Sequence, residues 1–338
     1  MGPTQTSSRE TTMEYYAGID VSLEQSSVCI VDAKGKIFRE AKVTSEPGAL
    51  IRWLKSQGVD LARIGLEAGP LSQWIYAAMK AASLQVDLLE TRHVRDAFRS
   101  MPVKTDRKDA RGIAQLVRLG WFRPVHCKSA AAQEVRTLLT ARKLVQSKLY
   151  DVEMSLRGIL RGFGLKVGPI TSKRLSGRIQ ELVSGHATLE TVAQSLLAVH
   201  AVLLRELNGF ERRVRTMART DKCVRQLMSV PGVGVMVALT YVSAIDDPRR
   251  FRSSKTVGAH FGLTPKKYQS GETDVTGRIT KIGDRSMRTA LYQAAHVILT
   301  RPMKGCSNLK SWAMKLAKRA GRKKAKVHRR VLRDLERW

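Results

Sequence analysis

Residues 104–113 read KTDRKDARGI, with Asp106 and Asp109 three positions apart in a chain of 60 Lys and Arg against 29 Asp and Glu. On a helix the two carboxylates would share one face, and like charges at that spacing cost roughly a few tenths of a kcal/mol. A ladder of ion pairs would need Lys or Arg three or four residues away. Those positions hold Pro102, Val103, Ala110, Thr105, Gly112 and Ile113. Lys104, Arg107, Lys108 and Arg111 project to other sides of such a helix. The pair therefore asks for a shared cation or for a partner from elsewhere in the fold.

Working outward, YYAGIDVS (15–22), SSVCIVDA (26–33) and GKIFREAKV (35–43) are β-rich runs that predict three consecutive antiparallel strands. A helical stretch over 49–57, a strand at RIGLEAG (63–69), a helix over 72–82, a strand at LQVDLLE (84–90) and the helix with the paired aspartates follow. This order predicts a mixed sheet covered by helices, an α/β domain over 14–126 after a polar extension at 1–13. Asp20 ends the first strand and Glu67 the fourth, where loops begin. Strand-end acids are placed to meet in space, and also commonly form turns. The small neighbours Gly18, Ala68 and Gly69 are expected to let a phosphate backbone approach.

From about Ala130 the pattern changes. Val135, Leu138, Val145, Leu149, Val152, Leu156 and Ile159 recur at coiled-coil spacing, interrupted by Arg142, and Leu189, Val192, Leu196, Val199, Leu203 and Leu207 repeat it after a glycine-rich break. A coiled-coil segment is expected over 127–222, as an intrachain hairpin, a dimerisation arm, or both. A mainly α domain is expected over 223–303. There PGVG (231–234) resembles a helix-hairpin-helix turn whose Gly232 and Gly234 N–H groups could face a phosphate, or it closes a plain helical hairpin. In KYQSGE (267–272), Ser270 precedes a glycine, most often a turn position. From Arg301 onward fourteen Lys and Arg face two acidic residues, so 304–338 reads as a basic tail contacting phosphates.

A formal charge of +31 suits a polyanion binder, with nucleic acid first and a membrane surface second. No uncharged apolar run of spanning length is evident, and residues 1–12 have no apolar signal core, so a cytoplasmic protein without a membrane partner is expected. The four cysteines and seven histidines show no metal-ligand spacing. Any metal would then be hard and oxygen-bound, Mg²⁺ or Mn²⁺. Candidate nucleic-acid contacts are Gly232, Gly234, Lys266, Lys267, Arg278, Lys281, Arg285, Arg288, Lys323 and Lys324.

An Asp on the first strand, a Glu on the fourth and a D-x-x-D on a later helix resemble the RNase H-like fold of RuvC-type nucleases. The ordered set GIDVS, LEAGP, KTDRKDARGIAQL, VPGVGVMVALTYVSAI, GLTPKKYQSGE and RITKIGDRSMRTALYQAA resembles the transposases of the insertion sequence 110 family along nearly the whole chain. That resemblance implies two Mg²⁺ ions on Asp20, Glu67, Asp106 and Asp109. It also implies that Ser270 is a nucleophile forming a covalent phosphoserine with DNA. Its further implications are donor and target DNA selected by a structured guide RNA, and a homo-oligomer, dimer or tetramer, in which the serine meets the acids of another protomer. The alternatives are a junction nuclease using water, with Ser270 only a turn residue, and a noncatalytic architectural RNA or DNA binder.

Overall fold

The computed structural model describes residues 13–99, 105–301 and 307–322, and the chain divides into two compact units after Lys128. The first unit runs β1 (Tyr15–Asp20), β2 (Gln25–Asp32), β3 (Ile37–Thr44), α1 (Pro47–Ser56), β4 (Leu61–Glu67), α2 (Ser72–Ala81), β5 (Val86–Leu89), α3 (Thr91–Phe98) and α4 (Asp106–Arg118). The sheet order is β3-β2-β1-β4-β5, with β1 antiparallel to β2 and parallel to β4. This is the RNase H-like order, an antiparallel meander joined to parallel strands through a central β1.

Alternation along the strands sorts their side chains onto two faces. Ala17, Ile19, Ile64 and Leu66 join Leu50, Leu54, Ile75 and Met79 of α1 and α2 in one core layer. The residues between them, Gly18 and Gly65, face α4 and are register partners on neighbouring strands. A Cβ on Gly18 would lie 2.3 Å from the Ala110 carbonyl oxygen and the Ala114 nitrogen, and one on Gly65 would lie 2.3 Å from Val117 Cγ2. The two glycines thus form a seat into which α4 settles. Gly18 was expected to admit a phosphate backbone; the helix occupies that space instead.

The second unit contains α5 (Ala130–Gly162), α6 (Ser172–Val183), α7 (Ala187–Thr220), α8 (Lys222–Met228), α9 (Val235–Ile245), α10 (Ser254–His260), β6 (Pro265–Ser270), β7 (Thr273–Ile279), α11 (Arg285–Thr300) and α12 (Ser307–Ala320). Arg142 of α5 pairs with Glu211 of α7, and Glu153 pairs with His200 at 3.0 Å. Partner numbers fall on α7 as they rise on α5, so the two helices form an antiparallel intrachain hairpin. Arg142, which interrupted the apolar spacing, is there to meet Glu211.

The buried line of α7 is Leu189, Ala193, Leu197 and His200, whereas Val199, assigned to the seam, is 48% exposed, as is Ile159 of α5 at 37%. The reason is α6, whose Leu175, Ile179 and Val183 pack into the same core and rotate the buried face away from a two-stranded seam. Helix α7 also contains a window of mean hydropathy 1.5, long and apolar enough to cross a membrane, which was not expected from the sequence. Only 22% of that window is buried, with Leu189, Ala193 and Leu197 of the helix in the core shared with α6.

Val135 and Leu138 of α5 share a core with Val214 of α7, Val224 of α8 and Ala238 of α9, so packing is continuous across the expected boundary at 222/223. The segment expected to be a basic tail contacting phosphates begins with α12, whose Ala313 is buried against Ala295 of α11. Apolar residues at helical spacing within that charge-rich stretch account for the difference.

Candidate active site

The direction of α4 fixes where its acids lie. Gln115 Nε2 donates to the Gly35 carbonyl at 2.7 Å and Arg118 to the Ala33 carbonyl at 3.1 Å, both beyond the end of β2 that pairs with the start of β1. The C-terminus of α4 therefore lies at the start of β1, and its N-terminus, with Asp106 and Asp109, at the end where Asp20 stands. Ile19 pairs with Leu66, so Asp20 and Glu67 are the next residues of adjacent parallel strands. Each lies two residues beyond a seat glycine, and so on the face that carries α4. Asp20 and Glu67 are half-buried, Asp109 is buried and Asp106 exposed.

The compensation that the paired aspartates required comes from the fold. Both lie in the first turn of α4, where the helix dipole favours negative charge by about 0.3–1 kcal/mol. Thr105 caps that turn by accepting from the Lys108 backbone N–H. The two arginines of KTDRKDARGI have a different carboxylate, Glu40 on β3, which accepts from Arg107 Nε at 2.7 Å and from Arg111 Nη2 at 2.8 Å, with a further contact from Arg111 Nε. The hydrogen bonds from Arg111, joined by those from Arg107, outweigh burial and hold the Glu40 carboxyl at about 2. Nothing local in the sequence marks Glu40, because its partners are 67 and 71 residues away.

Asp20, Glu67 and Asp109 each have an interaction in this structure, so the absence of a local basic neighbour does not leave Asp109 unpartnered. Among the described residues no group of three or more His, Cys, Asp or Glu is gathered closely enough to hold a metal ion. The acids placed at this end of the sheet offer carboxylate oxygens, which suit a hard divalent cation and no soft one.

In the second unit, Ser270 ends β6 in a hairpin of which Gly271 and Glu272 form the loop, with Ser270 paired to Thr273 and Gly271 at φ +55°. All of β6 is exposed, as is β7 up to Arg278. Lys266, Lys267 and Arg278 project from this ribbon, and Lys281 and Arg285 are exposed beyond it; Lys267 lies 3.6 Å from Asp274. Arg288 has another role, since its Nη1 donates to the carbonyls of Phe261, Ile282 and Gly283 at 3.1–3.2 Å and pins the turn before α11.

The two glycines of PGVG separate as well. A Cβ on Gly232 would meet Ile298 of α11 at 2.7 Å, so this glycine packs inward, while Gly234, the N-cap of α9, is open. Lys323 and Lys324 lie outside the described residues.

An RNase H-like domain with four carboxylates at one sheet end, followed by a helical unit, defines a class of phosphoryl-transfer proteins. A family model described as "Transposase IS116/IS110/IS902 family" matches residues 224–314, and a second, the DEDD transposase model of IS110, matches 17–164, so that together they cover most of the chain. The chain belongs to the IS110 family of insertion-sequence transposases.

It is similar to the "Transposase for insertion sequence element IS1111A" of Coxiella burnetii, 27% identical over 92% of this chain and 85% of that one. It is also similar to the "Transposase for insertion sequence element IS1328" of Yersinia enterocolitica, 24% identical over 68% of each. Among solved structures, "T. thermophilus RuvC in complex with Holliday junction substrate" covers 33% of this chain at 14% identity and a TM-score of 0.26, too slight a likeness to bear on the fold.

Proposed function

We propose that this transposase cuts and rejoins donor and target DNA through a covalent phosphoserine at Ser270, directed by a structured noncoding RNA and working as a homo-oligomer in the cytoplasm. The observation that supports the proposal is the placement of Asp20, Glu67 and the N-terminus of α4 at one end of the sheet. Mg²⁺ or Mn²⁺ ions bound by Asp20, Glu67, Asp106 and Asp109 would supply positive charge for the attacking and leaving oxygens. Ser270 Oγ attacks a DNA phosphorus, a serine–phosphate ester forms as one phosphorus–oxygen bond to deoxyribose breaks, and the serine proton ends on the released hydroxyl. Attack by a hydroxyl of another strand reverses these steps and rejoins the DNA. The diffuse positive charge suits a protein that holds backbone while base pairing to the RNA reads sequence.

A second reading, hydrolysis by water, is favoured by the place of Ser270 beside an exposed two-residue turn. A denaturing gel of protein incubated with its element's DNA and RNA separates the two. A protein–DNA adduct is expected, absent in Ser270→Ala and in Asp106→Asn, with nucleic-acid binding retained in both. Cleavage without an adduct, at an undiminished rate in Ser270→Ala, would establish the water route.

A further inference from the structure

The β6–β7 ribbon has two unlike faces. Tyr268 pairs with Val275 and Ser270 with Thr273, so alternation places Lys266, Tyr268, Ser270, Thr273, Val275 and Gly277 on one face. The opposite face is satisfied within the ribbon, Gln269 Nε2 donating to Asp274 at 2.8 Å with Lys267 beside it. On the serine face, Tyr268 is 65% and Val275 55% exposed. A two-stranded ribbon is marginal in water, and an aromatic ring left on its open face is a surface made for a partner.

We propose that Tyr268 is a stacking platform for a nucleobase of the DNA strand that Ser270 attacks. The inference rests on the reading of Ser270 as nucleophile. Residues two apart on a strand are separated by about 7 Å, comparable to the spacing of successive phosphates in an extended single strand. A base lying on Tyr268 therefore brings the phosphate of its own nucleotide or the next to the serine hydroxyl. Stacking on an aromatic ring tolerates any base, which suits an enzyme whose sequence choice lies elsewhere.

Charge selects the same partner. The segment 265–281 carries Lys266, Lys267, Arg278 and Lys281 against Glu272 and Asp274, and Lys266 flanks the ring on its own face. Beside Lys266, Gly277 leaves that face bare, as strand glycines do where another backbone approaches closely. Tyr268 is thus a positioning residue that touches substrate, and Ser270 remains the group that reacts.

The test uses the full chain with its RNA and a DNA carrying 2-aminopurine at each base flanking the cleaved phosphate in turn. In a Ser270→Ala background, binding should quench the fluorescence at one of these positions, and Tyr268→Ala should remove that quench. With Ser270 present, Tyr268→Ala should slow adduct formation roughly ten- to hundredfold. Tyr268→Phe and Tyr268→Trp should restore both signals, and Tyr268→Leu neither. A quench that survives Tyr268→Ala, or a Leu variant as active as Phe, overturns the platform and assigns this face to a protein contact or to no partner. If Ser270→Ala still forms adduct at the wild-type level, the nucleophile assignment fails while the quench continues to report stacking. Loss of adduct in Ser270→Ala with a quench indifferent to Tyr268 removes the platform alone.

Discussion

The carboxylate end of the first unit and the serine ribbon of the second are held in opposite ways. Helix α4 is fixed by a tight seat on Gly18 and Gly65, against its backbone at Gly18 and its side chains at Gly65, and by two arginines converging on the half-buried Glu40. The ribbon that carries Ser270 is exposed along both strands up to Arg278, and its cross-links are surface contacts around Asp274. On the proposed reading the acids hold metal ions and need their geometry preset, since ligand placement decides affinity. On the proposed reading of Ser270 as nucleophile, the ribbon can take its final position from the DNA strand.

The largest effect should come from the seat. Gly18→Ala drives a Cβ to 2.3 Å from backbone atoms of α4 and should cost about 3 kcal/mol or more. In Gly277→Ala the new Cβ meets nothing nearer than 3.6 Å, and the change should stay within about 0.5 kcal/mol. Urea denaturation of the two variants measures the difference, and equal midpoints would break the comparison.

Glu40 sharpens it through pH. A carboxylate whose folded pKa lies below its unfolded value stabilises the fold above the unfolded pKa and loses that contribution as pH falls. Lowering from an ordinary 4.5 to about 2, at about 1.4 kcal/mol per unit, corresponds to up to about 3 kcal/mol, lost between roughly pH 5 and pH 2. Glu40→Gln should lower neutral stability by an amount of this order and flatten the acid limb of a stability–pH curve. An unchanged limb would show that the clamp does not hold α4.

The smallest effect belongs to the ribbon. Lys267 and Asp274 are both more than half exposed, so Asp274→Asn should shift stability by only a few tenths of a kcal/mol. A thermal melt at low and high salt is sufficient to measure it, and a shift above about 1 kcal/mol would mean that the ribbon is more rigidly built than its exposure indicates.

The strand-end acids and the order of elements in the first unit were legible because apolar runs bounded by turns mark strands, and acids at their ends stand out. The register that pairs Gly18 with Gly65 was not, since strand pairing is a tertiary fact. Helix α3 escaped notice because Val94 is its one buried residue. The β6–β7 ribbon escaped for a related reason: with nearly every residue exposed it has no buried face, and hence no apolar alternation to read. Glycine-rich sequence concealed α6 and positive charge concealed α12. Only neighbours within the helix could be judged from KTDRKDARGI, so the clamp to Glu40 stayed hidden.

The glycine seat also acts as a check on assembly. Its halves come from strands separated in the chain by β2, β3 and α1, and it exists only when β1 and β4 pair in one register. Slipping that pairing by a single residue turns one strand's side chains to the wrong face. A bulky residue would then stand where α4 must lie, and one of the two strand acids would turn away from the helix that carries the other pair. A chain misfolded in this way cannot dock α4 and cannot bring both strand acids to the end of the sheet where Asp106 and Asp109 lie, so that arrangement of acids arises only together with the correct fold.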